Sequence, residues 1–316
     1  MRLLLSTALL GLAWFAAVNL VMSALAWCAS RAVLRRGTAL SGAALLTLRL
    51  LPSAAALVFA AAVFAPAHVR FEPAQSDEQF GLTLMAFAGL GSWLLARSAR
   101  RAARVAAVAR VAGRWPVQSA ASRAGDAYEI SGLRGVSLAG VFHPRILIGR
   151  GARRVLTPDE LDLAIAHERA HRHALDNLKR CAMFCAPDLF GGTATAASLE
   201  ARWRARAERD ADDRAVAGDE RRALHLASAL LKVARLGGRA AEGPARPPLW
   251  STFNEPPLLE ERVRSLLARP VRRPPAWRDP SRAAVVAAWG LAAAAWLVHA
   301  PYDVHLLTEL FVAVLP

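Results

Sequence analysis

The sequence predicts a mainly α-helical membrane protein, with four transmembrane helices and a cytoplasmic α+β domain between the third and the fourth. Three observations carry that expectation. Of 316 residues 55% are hydrophobic, yet the net charge is +15, a pairing that suits apolar spans joined to a basic aqueous part better than a soluble domain. Four stretches reach or approach bilayer-crossing length: residues 3–29, about 44–65, 80–96 and 283–300. Between the last two lie short β-like runs followed by helical periodicities.

Residues 3–29 carry no charge, and this run is longer than the apolar core of a signal peptide. Ser23-Ala24-Leu25-Ala26 resembles a cleavage site and Cys28 a lipidation site, but Trp27 is unsuited to the position before a lipidated cysteine. An uncleaved span is expected. The second span contains Arg49 and Pro52; Arg49 lies near one end, where its head can snorkel to the interface. The third is the shortest.

Charge orients the spans. Arg31, Arg35 and Arg36 follow the first, Arg97, Arg100, Arg101, Arg104, Arg110 and Arg114 follow the third, and Arg269, Arg272, Arg273, Arg278 and Arg282 precede the fourth. Between spans two and three, Arg70 is set against Glu72, Asp77 and Glu78. The positive-inside rule places the N-terminus outside and residues 97–282 in the cytoplasm. The expected organisation is a three-span region over 1–96, a cytoplasmic domain over 97–282, and a fourth span with a short tail over 283–316. No aromatic-basic recognition pattern accompanies the basic excess, so nucleic-acid binding is not expected. Cys28, Cys181 and Cys185 form no C-x-x-C pair and imply no disulfide framework; Cys181 and Cys185 read as small buried residues.

Residues 97–112 are helix-like. Tyr128-Glu129-Ile130, Val136-Ser137-Leu138 and Ile146-Leu147-Ile148 read as strands, punctuated by Gly132, Gly135, Gly140 and Pro144. Their sheet either offers an edge to an extended peptide or simply covers the helix that follows. That helix opens with Thr157-Pro158-Asp159-Glu160, a capping box with proline at the first helical position. Its apolar periodicity runs through about Arg180.

Near its middle stands His167-Glu168-Arg169-Ala170-His171. Four residues exceed one helical turn slightly, so His167 and His171 share a face and can share one metal ion. Glu168 lies about 100° further round, where a carboxylate can act on water without being a ligand. A catalytic zinc takes three protein ligands, so a third is sought elsewhere. On the helix expected over 198–217, Ala201, Ala205, Glu208, Asp212 and Ala215 fall on one stripe while the arginines lie off it. Acids on an otherwise apolar face need a cation or donors. Glu208 is taken as the third ligand and Asp212 as the carboxylate that orients a ligand histidine. His173 falls on the solvent side. A helix over 220–236 contains His225, residues 237–257 read as loop, and 258–267 as a short helix.

Together, His167-Glu168-Arg169-Ala170-His171, Asp176-Asn177-Leu178 and Glu208-Arg209-Asp210-Ala211-Asp212-Asp213 resemble the motifs of the BlaR/MecR-type membrane zinc metallopeptidases. Phe142 to Ile148 resembles the strand before that family's zinc helix, and Leu259-Glu260-Glu261-Arg262-Val263 a helix after its acidic motif. The resemblance covers about residues 1–300 and implies a gluzincin domain between spans three and four. It implies His167, His171 and Glu208 as zinc ligands and Glu168 as general base. It also implies a cytoplasmic or membrane-associated protein substrate, such as a transcriptional repressor, cleaved at the inner membrane of a bacterium. Arg169 departs from the usual apolar residue, and no cysteine precedes Asp212. No penicillin-binding sensor follows span four, so antibiotic sensing is not expected. HtpX-like quality-control peptidases share the zinc motifs with a different span arrangement. A signalling scaffold with an inactive zinc fold is the alternative outside enzymes. An oxyanion donor is not identified: His225, His143 or an arginine could serve, and nothing in the sequence selects one.

Overall fold

The computed structural model describes residues 2–71, 81–113, 118–119, 127–130, 133, 135–236, 250–252, 258–268, 306–308 and 310. Three helical stretches are long and apolar enough to cross a membrane: Leu5–Arg36, Gly42–Phe71 and Leu82–Arg110. They match the first three expected spans; the fourth lies outside the described residues. Two compact units emerge. One comprises Met1–Arg100, Ala186–Glu200 and Pro274–Pro316, the other Arg101–Cys185 and Ala201–Arg273. Residues 186–200 thus group with the spans, where a single block over 97–282 was expected.

In the first unit, α1 (Arg2–Arg36) packs along α2 (Gly42–Val58). Ser41 caps α2 by accepting the Ala44 amide at 3.2 Å. The same span continues through a π-helical stretch, Phe59–Phe64, into α3 (Ala65–Phe71). Helix α4 (Leu82–Gly113) joins the third span and the arginine-rich stretch into one element. Leu10, Ala13, Val63, Phe64, Leu84 and Ala88 form one apolar cluster among these helices. A side chain at Gly91 would collide with the Leu12 carbonyl, so α4 needs glycine there. Arg49 does not snorkel outward: it is 2% exposed and ion-paired to Asp188 and Glu200. Acidic partners inside the protein replace the water it would otherwise seek.

The second unit combines a five-stranded sheet with helices. Strands β1 (Gln118–Ser119), β2 (Ala127–Ile130), β3 (Val136–Ala139), β4 (Arg145–Gly149) and β5 (Trp250–Thr252) lie in the order β1-β2-β4-β3-β5. Only the β2–β4 pair is parallel. The three expected strands are present. Residues 250–252, read as loop, instead pair with β3, so β1 and β5 form the sheet edges among the described residues. After β4 come α5 (Arg150–Val155), α6 (Pro158–Ala174), α7 (Asp176–Cys185), a 3-10 turn (Phe190–Gly192), α8 (Ala194–Val216), α9 (Glu220–Leu236) and α10 (Leu259–Leu267). Leu138, Ile146 and Ile148 of the sheet meet Leu163 and Ala164 of α6 and Leu226 and Leu230 of α9 in the main core. Burying these branched side chains contributes about 1.5–3 kcal/mol each.

Helix α6 begins as its sequence specifies. Thr157 Oγ accepts the Glu160 amide at 3.3 Å, and Glu160 Oε2 accepts the Thr157 amide at 2.8 Å. It ends earlier than expected: Leu175 adopts the left-handed conformation, φ 56°, and separates α6 from α7. Glycine or asparagine usually marks such an end, and neither stands there.

Candidate metal centre

Two carboxylates on α8 and two imidazoles on α6 meet in the interior of the second unit. His167, Glu168 and Glu208 are 0% exposed and His171 1%. The two histidines project from one face of α6, with Nε2 atoms 3.1 Å apart and rings edge to face. His167 Nε2 lies 3.4 Å from Glu208 Oε2, and His171 Nε2 lies 3.4 Å from Glu208 Oε1. These three residues form a buried group that can hold a metal ion, their ligand atoms all within 4.8 Å of one another. A tetrahedral ion with bonds of about 2.0–2.1 Å places its ligand atoms roughly 3.3 Å apart, and the separations here match that demand.

Each ring is held from its far side. His171 Nδ1 donates to Asp176 Oδ2 at 2.8 Å, and His167 Nδ1 lies 2.9 Å from Asp212 Oδ1. The Asp176 hydrogen bond fixes the tautomer of His171 and leaves its Nε2 facing the cluster. Asp212, the carboxylate expected to orient a ligand histidine, lies beside His167. Asp176 meets the other histidine, because the turn at Leu175 brings the start of α7 back against α6. Asn177, next along α7, donates to Leu138 O at 3.2 Å and Gly140 O at 2.8 Å and ties α7 to the end of β3.

Arg262 of α10 was not singled out as a site residue. Its Nη2 and Nε reach the two Asp212 oxygens at 2.6 and 2.8 Å, a bidentate fork. Its Nη1 lies 3.0 Å from Glu208 Oε2, and Nη2 lies 3.5 Å from His167 Nε2. Arg180 of α7 approaches Glu208 Oε1 at 3.4 Å. Other expectations fare differently. His173 is exposed, His143 is exposed in the turn after β3, and His225 is half-buried on α9; none joins the cluster. The buried face of α8 runs through Trp203, Ala207, Glu208, Ala211, Asp212 and Ala215, whereas Ala201 is exposed.

Electrostatics show what the pocket prefers. Burial by itself would lower the His171 pKa, but the Glu208 charge and the Asp176 hydrogen bond raise it to about 10. Burial likewise opposes ionisation of Glu208, yet His171, His167 and Arg262 hold its carboxyl well below the usual range. Asp176 and Asp212 are also lowered against burial, by His171 and by His167 with Arg262 respectively. Glu168 adds its field to both His171 and Arg262. His171 is raised and the three acids are lowered, so this interior favours negative carboxylates around a positive charge at His171, where a proton or a metal cation can supply it. The donor set and its field fit a divalent ion.

Comparison with protein-family models, curated proteins and solved structures finds no match for this chain.

Proposed function

We propose that the chain is an integral-membrane, zinc-dependent endopeptidase acting on a cytoplasmic or membrane-associated protein, such as a transcriptional repressor. One observation carries the reading. The fully buried His167, His171 and Glu208 converge at ligand spacing, with a buried glutamate, Glu168, beside the first ligand. Imidazole and carboxylate donors in this number suit a catalytic zinc that keeps a position open. Bound zinc supplies Lewis acidity and lowers the pKa of water toward neutrality.

This chain's residues supply the rest. His167, His171 and Glu208 would hold the ion, with Asp176 and Asp212 against the far sides of the two rings. Glu168 accepts the proton of the attacking water and delivers it to the leaving nitrogen. Arg262 locks Asp212 and balances the acids around the ligands. The arginine distribution supports a multi-pass protein with an external N-terminus and a cytoplasmic centre, and the resemblance to BlaR/MecR-type peptidases suggests a bacterial inner membrane.

A second reading, a signalling scaffold with a structural cluster, draws on the cationic partners that Arg180 and Arg262 already give Glu208. The discriminating experiment measures zinc and hydrolysis of quenched peptide pools by full-length protein in detergent, wild type beside Glu168→Gln. Zinc in both with hydrolysis only in wild type supports the peptidase. Zinc-free, inert wild type supports the scaffold.

A further inference from the structure

Two of the spans end alike. On α1 the uncharged run 3–29 is followed by Arg31 as its first charge, and on α4 the run 80–96 is followed by Arg97. Each arginine stands four residues after a tryptophan, one helical turn further along the same face. Each guanidinium lies over that ring, Arg31 at 4.8 Å from the Trp27 centroid and Arg97 at 5.3 Å from that of Trp93. Both rings face outward, Trp27 37% and Trp93 48% exposed. All four residues belong to the unit that contains the spans.

Neither arginine has an anion of its own. Residues 1–71 and 81–125 contain no Asp or Glu, and among the described residues neither guanidinium has a carboxylate partner. Arg49 is the opposite case, buried and paired with Asp188 and Glu200. A guanidinium attracted to an aromatic face keeps its N–H fork for a further acceptor. Tryptophan at the end of a span lies at headgroup depth, where the anions in reach are lipid phosphates, whose oxygens match the arginine fork two at a time. A zwitterionic headgroup brings its own cation beside the phosphate, so a basic site favours lipids of net negative charge.

We propose that the pairs Trp27–Arg31 and Trp93–Arg97 are binding sites for the phosphate of anionic phospholipids, each guanidinium held between an indole ring and a headgroup. Anionic lipid is then a ligand of this unit as well as its solvent. The sites are independent of the metal reading. Arg36 and Arg100 supply the contrast: both are exposed on the same two helices, and among the described residues neither lies over a ring.

The test titrates full-length protein in detergent with dioleoyl phosphatidylglycerol and, separately, with dioleoyl phosphatidylcholine, counting bound lipid by native mass spectrometry. Wild type should bind the anionic lipid more tightly. Arg31→Gln and Arg97→Gln should each weaken that binding about fivefold, the contribution of one basic side chain at an anionic surface, while Arg36→Gln and Arg100→Gln leave it nearly unchanged. Equal affinity for the two lipids overturns the proposal. Equal losses at all four arginines point to a diffuse basic surface and overturn it too. Should a glutamine variant not insert, Trp27→Leu and Trp93→Leu keep every charge and decide by the same affinity. Loss of the ring should weaken binding about two- to fivefold, and unchanged affinity overturns the sites.

Discussion

Arg49 and Arg262 are both 2% exposed and both grip a pair of acids, but their surroundings differ. Around Arg49, the Ser53 hydroxyl and the Gly191 backbone amide are hydrogen-bonded to Asp188. Around Arg262 stand two imidazoles whose Nε2 atoms face each other across 3.1 Å, with Glu208 beyond them. A cluster of ion pair, hydroxyl and amide holds a shape. A cluster in which two nitrogens and a carboxylate converge on one point has room in its chemistry for a cation. The same residue type thus serves architecture in one unit and lies against a possible metal site in the other.

The comparison can be broken at several points. The largest effect is expected at Glu168: Glu168→Gln should keep zinc while hydrolysis falls by about 10²–10⁴-fold, read by peptide turnover beside metal analysis. Retained turnover would remove Glu168 as the base. Next comes Arg262→Met. Stripping one partner from a buried ion pair costs roughly 3–5 kcal/mol, and the loss should be larger with chelator than with zinc, because the ion also neutralises Glu208. Thermal unfolding in both conditions checks this, and equal losses would separate Arg262 from the metal site.

Asp212→Asn should weaken zinc binding by about 10–100-fold, measured by chelator competition; unchanged affinity would mean that His167 needs no such support. A smaller effect is expected at Thr157, far from the ligands in sequence but at the start of their helix. Thr157→Ala should cost about 1 kcal/mol and leave zinc affinity alone.

Glu160 sharpens the pH dependence. Burial opposes its ionisation, but Lys232, Ser228 and the Thr157 amide hold its pKa below the ordinary value. Its folded pKa being the lower one, its stabilisation is complete above the ordinary carboxylate range and disappears as pH falls through the folded value. Unfolding midpoints of wild type and Glu160→Gln should therefore converge on acidification; a constant gap would contradict the assignment.

Much of the centre was legible in local spacing. The capping box at Thr157, the i,i+4 histidines and the acids of α8 are signals within one helix, and each side chain lies where its periodicity points. What escaped depends on contacts distant in sequence or on unmarked turns. The break at Leu175 carries no glycine or asparagine, so one helix through about Arg180 was the natural reading, and the partnership of Asp176 with His171 follows only from that break. Arg262 lies far from Glu208 along the chain, among charged neighbours that make it resemble a solvated residue. Strand β5 is only three residues long, too short to show a period of two. Arg49 gave a signal, an ionisable group in a span, but the identity of its partners was folded into a turn more than a hundred residues away.

The most direct test of the account is the zinc content of detergent-purified full-length protein, wild type beside Glu208→Ala. The account predicts about one zinc per wild-type chain, in keeping with a single three-ligand site, and loss of that zinc in the variant. A well-folded wild type without zinc, or a Glu208→Ala variant that keeps it, would contradict the centre described here.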